Sequence, residues 1–333
     1  MKKRILFSLL IAMGLFMAAC EPAVPQPSVT EPSSTTQGTE NGASDPVPSQ
    51  PDPVFQYTDI PYGAHPLQTM DIYIPEGAPD QRYPVVLTLH GGEWIAGDKA
   101  AFVRYTAPVL AAGWIHVNIN YRLLNNGISA DAERPYEEML DDIEAAFDFL
   151  SQNAETYQID PAKAGIAGYS SGGHLALLYA YTRTDASIPI RFVISEAGPA
   201  NFMDPKTFTE DGDPWLHESH NGHGDIEVWP SMSKDHRISL IGDITGTKYG
   251  APGWEEAWKK ASPAYVVTEA APKTFLFYSS HDPIVPMSHA ELLEHNHSQC
   301  SLYEIMNATH NLFADPMELQ NFYAILSAIL AES

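Results

Sequence analysis

Gly168-Tyr169-Ser170-Ser171-Gly172-Gly173-His174 is the stretch that decides how this chain is read. It joins an apolar run over 163–167, which predicts a strand, to a run over 174–181 that predicts a helix. A serine between two glycines, where a strand turns sharply into a helix, has its hydroxyl lifted clear of its surroundings as a nucleophile. Serine alone is a poor nucleophile near neutral pH, so the reading requires a base to take its proton and a third group to orient that base.

Both requirements are met downstream, in order. Asp282 closes the strand-like run 273–280 and opens a turn at Pro283, and His310 follows a second alternating run over 301–306. Ser170, Asp282 and His310 each follow a predicted strand, in the serine, acid, histidine order of α/β-hydrolases. Asp315 comes after His310 and breaks that order. His281, His289, His295 and His297 compete with His310; His295 and His297 fall at the expected exposed end of a helix over 287–296 and read as surface or capping residues. His174, four residues beyond Ser170, reads as a histidine packed beneath the turn rather than as a second base.

A further element lies upstream. His90-Gly91-Gly92-Glu93-Trp94 directly follows the strongly apolar run 84–89, and two glycines let a backbone approach a substrate without a side chain in the way. With these motifs the chain resembles the HGGG-type esterases and lipases of the α/β-hydrolase superfamily, including the hormone-sensitive-lipase-like branch and the bacterial feruloyl and acetyl-xylan esterase-like (BD-FAE-like) proteins. Glu93 stands where their pattern has a third glycine, which fits the HGG-x-W variants better. The resemblance implies a mostly parallel central sheet with helices on both faces. It also implies an oxyanion hole built from the backbone N–H groups of Gly92, of Gly91 or Glu93, and of Ser171. Preorganised donors of that kind are worth roughly 3 kcal/mol each.

The rest of the chain divides by composition. Lys2, Lys3 and Arg4 precede an apolar run over 5–19 that is too short for a confident membrane span and has the layout of a secretory signal. Met17-Ala18-Ala19-Cys20 resembles the lipobox of bacterial lipoproteins, which implies a signal over 1–19, lipid on Cys20 and a place in the cell envelope outside the cytoplasm. Residues 20–53 are rich in Pro, Ser, Thr, Gln and Glu and carry almost no large apolar side chain, so they are expected to form a disordered tether. With Cys20 lipidated, Cys300 has no cysteine to pair with and reads as a small buried hydrophobe. Residues 54–333 suit one large domain. A hairpin over 55–60 and 68–74 is followed by strands at 83–89, 113–121, 164–168, 190–196, 273–279 and 301–306. Helices are expected at 102–112, 136–151, 175–182, 287–296 and 317–330. Met139, Ile143, Ala146, Phe147 and Leu150 make one buried face of the second of these, with Asp141 and Asp142 among the acidic residues lying mostly off it. After the sixth strand the rhythm breaks into an insert over 198–261, too long for an ordinary loop and expected to act as a cap or lid. Trp94, Trp215 and Trp229 are expected to line the substrate cleft, although packing of the insert onto the body explains the last two equally well. His217, His220, His223, Asp225 and His236 match no specific metal spacing. Neither a metal nor another cofactor is expected.

The formal charge is −24, from 42 acidic and 18 basic residues. Loss of a signal holding three basic and no acidic residues takes −24 to −27. Such a surface repels phosphate backbones, which argues against nucleic acid and disfavours highly anionic substrates. The reading that joins these features is a lipid-anchored serine carboxylic ester hydrolase for short or medium acyl esters, with acetyl or feruloyl groups on extracellular glycans as candidate substrates. An amidase or peptidase with the same three residues, and a noncatalytic surface glycan-binding lipoprotein, are the alternatives. Composition is silent on oligomeric state.

Overall fold

In the computed structural model, residues 55–78, 80–209, 233–306 and 308–333 are described. Their strands are β1 (Phe55–Pro61), β2 (Thr69–Ile74), β3 (Tyr83–Leu89), β4 (Ile115–Ile119), β5 (Ile159–Tyr169), β6 (Ile190–Glu196), β7 (Lys273–Tyr278) and β8 (Cys300–Glu304). They form a single sheet in the order β1-β2-β4-β3-β5-β6-β7-β8. Pairing is antiparallel from β1 through β2 to β4 and parallel across every other neighbouring pair. The α-helices are α1 (Thr106–Ala111), α2 (Pro135–Gln152), α3 (Ser171–Thr182), α4 (Lys234–Thr245), α5 (Trp254–Lys260), α6 (Pro263–Val266), α7 (Met287–Asn296) and α8 (Pro316–Glu332). Short 3-10 helices occupy Lys99–Tyr105 and Pro205–Phe208.

The central strands β3, β6 and β7 bury large apolar side chains on both faces of the sheet, and the two-residue period sorts those side chains. Val85, Leu87 and Leu89 of β3, Val193 of β6 and Leu276 of β7 pack with Met139, Ile143 and Phe147 of α2 and Leu175 and Leu178 of α3. Val86, Phe192, Ile194 and Phe277, their neighbours in sequence, face the other way onto Val109 of α1 and Phe322, Leu326 and Ile329 of α8. Each such large side chain contributes about 1.5–3 kcal/mol by leaving water.

Local differences from the sequence expectation have identifiable causes. The helix expected at 102–112 is a 3-10 helix to Tyr105 followed by α1, and Asp98 caps the 3-10 segment by accepting from the Ala100 N–H at 2.8 Å. α3 starts at Ser171, earlier than 175, because the turn at Ser170 feeds straight into it. The insert is not wholly irregular: α4 opens on Ser233, whose hydroxyl accepts from the His236 N–H, and ends at Gly246 in the left-handed region. Asp142, expected off the buried face of α2, is fully buried. It accepts from Gln68 Nε2 at 2.7 Å, from the Arg122 N–H at 2.8 Å and from Arg122 Nε at 2.8 Å, so one carboxylate ties α2 to the β1–β2 hairpin and to the chain leaving β4. His297, expected at an exposed helix end, is buried: α7 stops at Asn296, and the extended backbone of His297 carries its ring inward to Pro272 O at 2.9 Å. Cys300 is half-buried against the core.

One crossing places the centre of the molecule. The end of β5 and the start of α3 come so close that a Cβ on Gly168 would stand 2.2 Å from Gly172 O, and one on Gly172 would stand 2.1 Å from Leu89 O. The two glycines that frame Ser170 are thus required by backbone contact with each other and with β3. Gly172→Ala is expected to destabilise the protein by about 1–3 kcal/mol, the usual range for overpacking. Denaturant unfolding of the two forms measures this, and equal midpoints would show that the crossing has slack.

Candidate active site

Ser170 sits between β5 and α3 with φ 53 and ψ −123, a conformation rare for a residue with a side chain. Its N–H donates to Glu196 O at 2.8 Å, and its carbonyl accepts from the His174 N–H at 3.0 Å. The backbone is held on both sides, and the hydroxyl is left as the group that points outward.

That hydroxyl meets His310 Nε2 at 2.9 Å, and His310 Nδ1 meets Asp282 Oδ2 at 2.8 Å. The other carboxylate oxygen, Oδ1, accepts from the Ile284 N–H at 2.8 Å and the Val285 N–H at 3.0 Å, which locks Asp282 and leaves Oδ2 to the ring. A carboxylate oxygen accepts, so Nδ1 carries the ring proton and Nε2 is free to accept from the serine. The backbone of His310 is fixed as well, since the Tyr169 hydroxyl donates to its carbonyl at 3.2 Å. Ser170, Asp282 and His310 are 9%, 8% and 8% exposed, so the chain of bonds is screened from water yet open at one end. A serine, an imidazole and a carboxylate so joined can attack a carbonyl carbon and shuttle the proton to a leaving group.

The His-Gly-Gly loop lies against this serine: a Cβ on Gly91 would stand 3.1 Å from Ser170 Cβ. Beneath the loop, His90 is buried and stacks on Tyr121 with centroids 4.4 Å apart. Its Nδ1 donates to Gly91 O at 2.8 Å, and the Tyr121 hydroxyl donates to His90 O at 2.7 Å. Gly92 O accepts from the Ile95 and Ala96 N–H groups at 3.0 and 2.9 Å, which turns the loop on itself through left-handed Gly92, Glu93 and Trp94. Ser171 is the first residue of α3, so its N–H has no partner inside the helix and stands at the positive end of the helix dipole. The His-Gly-Gly loop and the start of α3 therefore both lie next to Ser170.

Glu93 and Trp94 separate at this point. Glu93 points out to the insert, where Oε2 meets His236 Nε2 of α4 at 2.8 Å. Trp94, expected in the cleft, turns inward: it is 3% exposed, packs edge-on against His174 and Phe202, and donates its indole N–H to His174 Nδ1 at 3.2 Å. Its left-handed φ of 59 reverses the chain and drives the ring under the loop. His174 then donates from Nε2 to Ala261 O at 2.7 Å, so this histidine ties α3 to the end of α5 and takes no part in the Ser170 chain. Trp215, Trp229, His217, His220, His223 and Asp225 lie outside the described residues.

Glu196 is a residue that sequence reasoning missed. It is 1% exposed at the end of β6, beside Ser170, and burial pushes its carboxyl up to about 7 against the opposing pull of Arg104 and Tyr105. A last strand residue is ordinarily polar and wet, and nothing in the pattern marks this one as covered. Among the described residues no group of three or more His, Cys, Asp or Glu side chains is arranged to hold a metal ion.

A family model described as BD-FAE matches residues 70–296, more than half of the chain, and the chain belongs to the BD-FAE family. It is 27% identical over 264 residues to Esterase LipQ of Mycobacterium tuberculosis (strain ATCC 25618 / H37Rv), a match covering 77% of this chain and 57% of LipQ. With Esterase LipC of the same organism it shares 24% over 257 residues, covering 75% of this chain and 58% of that one, so the chain spans less than two thirds of either relative. Among solved structures, a truncated form of a carbohydrate esterase from gut microbiota superposes with a TM-score of 0.60 at 19% identity, covering 82% of this chain and 96% of that one. At such identity the likeness is one of fold, and the fold is that of the α/β-hydrolases.

Three histidines give the protein a characteristic response to acid. His116, His174 and His289 are buried, and burial pushes their rings down to about 3, 4 and 4. In the unfolded chain each binds a proton below about pH 6.5, whereas in the fold it stays neutral. The stability they supply is complete above pH 6.5 and is lost as pH falls toward 4. Glu196 acts in the opposite sense, its share being present below about pH 4.5 and lost as pH rises through 7. Between pH 6.5 and 4, His174→Gln should lose stability less steeply than the parent, by about 1.4 kcal/mol per pH unit for the one proton removed. Denaturant unfolding across that range reads the slope; parallel curves would show that His174 does not titrate as the fold implies.

Proposed function

We propose that the protein is a serine carboxylic ester hydrolase acting on short or medium acyl esters through an acyl-enzyme on Ser170. The observation that carries this reading is the continuous chain from Ser170 Oγ to His310 at 2.9 Å and on to Asp282 at 2.8 Å, with the His-Gly-Gly loop against the serine. His310 Nε2 takes the serine proton as Oγ bonds to the ester carbonyl carbon, and the carbonyl π electrons move onto oxygen. N–H groups of the Gly92 loop and of Ser171 face that oxygen and stabilise its charge. Collapse breaks the carbon–alkoxy bond, and His310 gives its proton to the departing alcohol. Water then attacks the acyl-serine with His310 as base, releasing the acid and restoring the Ser170 hydroxyl. Membership of the BD-FAE family and likeness to proteins named as esterases support ester over amide as the bond cleaved. The solved structure of similar fold titled a carbohydrate esterase favours acyl groups carried on extracellular glycans, acetyl or feruloyl among them. The net charge of −24 favours neutral esters over anionic ones. The insert over 198–261 is proposed to shape the acyl and alcohol sites, and lipid on Cys20 to hold the domain at the cell envelope.

Two measurements test this reading. With para-nitrophenyl acetate, butyrate and octanoate, the full chain should favour the shorter esters, and Ser170→Ala should lower kcat by about 10⁴-fold or more. Turnover retained in Ser170→Ala would remove the serine from the chemistry. In bacterial cells fed an alkyne fatty acid, the parent should take up the label and fractionate with membranes, whereas Cys20→Ala should be unlabelled. Equal labelling of both would place the lipid elsewhere.

A further inference from the structure

Glu196 is a buried carboxyl for which the ester chemistry has no step. Its Oε2 accepts from the Tyr105 hydroxyl at 2.8 Å, that hydroxyl accepts from Arg104 Nη2 at 2.9 Å, and Arg104 Nη2 lies 3.9 Å from the same Oε2. Oε1 is buried with no hydrogen-bond partner among the described residues. A carboxyl in that position is held against a desolvation cost, which is also why burial pushes it up to about 7. Something must offset that cost, and the position of Glu196 in the sheet indicates what it secures.

β6 ends at Glu196. The next residue, Ala197, still sends its N–H to Phe277 O of β7 at 2.9 Å, and its left-handed φ of 49 then turns the chain out of the β5–β6 ladder. Glu196 pairs in register with Tyr169, and its carbonyl takes the Ser170 N–H at 2.8 Å. The last carbonyl of the strand is therefore the one that fixes the serine, and no further rung on β5 steadies it. Those two bonds, to Phe277 O and from the Ser170 N–H, hold the Glu196–Ala197 peptide in the plane of the sheet, and the Glu196 side chain adds a restraint out of that plane through Tyr105. Tyr105, which holds it, is itself wedged between Phe102 and Phe322 at 5.1 Å each. The segment carrying Arg104 and Tyr105 is anchored at its start by buried Lys99, which pairs with Asp59 at 2.8 Å and Asp71 at 3.0 Å.

We propose that Glu196 is a positioning residue for Ser170: the Arg104, Tyr105 and Glu196 side chains fix the end of β6, whose carbonyl fixes the Ser170 N–H and so aims the hydroxyl at His310. The inference rests on the esterase reading, and the experiment separates the two. In the full chain, Glu196→Ala, Glu196→Gln and Tyr105→Phe are compared with the parent for kcat and KM on para-nitrophenyl acetate, for the rate of labelling by a fluorophosphonate, and for thermal midpoint. Misaiming the hydroxyl in Glu196→Ala should lower kcat by about 10- to 100-fold. KM should stay within about 3-fold, because the interaction lost is not a binding contact. Fluorophosphonate labelling should slow in parallel with kcat. Glu196→Gln, whose amide oxygen can still accept from Tyr105, should recover to within about 3-fold of the parent, and Tyr105→Phe should fall between the two alanine and glutamine forms. If Glu196→Ala fails to fold, Glu196→Gln and Tyr105→Phe still order the effect. A lowered thermal midpoint with kcat and labelling unchanged would overturn the proposal, as would a Gln form no better than the Ala form. A parent that neither labels nor turns over would sink the esterase reading itself.

Discussion

The backbone of one residue organises this molecule. Ser170 adopts φ 53 and ψ −123, a region that costs a residue with a side chain about 1–3 kcal/mol and persists only where its surroundings over-determine it. Here they do: the N–H is held by β6, the carbonyl by the first turn of α3, and the flanks by two glycines with no room for a Cβ. The turn then dictates the rest. β5 must stand next to β3 so that Gly172 can abut Leu89, and β6 must follow β5 so that Glu196 can reach Ser170. Because β3, β5, β6, β7 and β8 are parallel, the chain leaves every one of them at the same edge. Asp282 and His310, each just beyond a strand end, arrive beside the serine for that reason, as ligands do in open parallel sheets.

That logic also explains which features were legible in the sequence. Strands buried on both faces read as nearly continuous apolar runs, and the runs at 83–89, 190–196 and 273–279 correspond to β3, β6 and β7 with little change at their ends. Ser170, Asp282 and His310 stood out because each follows a predicted strand, and the structure brings the three together. Features that depend on depth rather than pattern stayed hidden. Asp142 in mid-helix and Glu196 and His297 at element ends look like ordinary polar residues, and only the three-dimensional packing covers them. The Trp94 side chain is aimed by a left-handed φ that no periodicity encodes. α5 and α6, of seven and four residues, are shorter than the window over which helical periodicity shows, so the end of the insert and the residues after it had no rhythm to read.

Histidine is abundant here, and partners rather than position decide what each ring does. His174 bonds to an indole and a carbonyl, His289 accepts from the Ala200 and Asn201 N–H groups, and His297 reaches a carbonyl. None of these rings faces both a carboxylate and a hydroxyl. His116 does meet two hydroxyls, those of Thr88 and Thr106, but it is fully enclosed and has no carboxylate behind it. His310 alone among these rings is backed by a carboxylate, fronted by a serine and open to the surface at one end. The same burial that keeps His116, His174 and His289 neutral removes them from competition as bases.

On the esterase reading, Glu93 raises an electrostatic question, because a carboxylate in the loop opposes the negative charge that the loop must stabilise. Glu93 is two residues from Gly91, which abuts Ser170, and two residues of extended chain span about 7 Å, which sets the scale of the separation. Two unit charges 7 Å apart repel by about 0.6 kcal/mol in water and about 2.4 kcal/mol at an effective dielectric near 20. The Glu93 side chain is 35% exposed and turned away to His236 of α4, which favours the smaller figure. One oxyanion donor is worth roughly 3 kcal/mol, so two or more of them outweigh a repulsion of that size. Pairing with His236, whenever that ring carries a proton, reduces it further. A third glycine is therefore dispensable at this position: the loop keeps its left-handed turn at Glu93, and in exchange the acidic side chain gives the insert a fixed point of contact beside the serine.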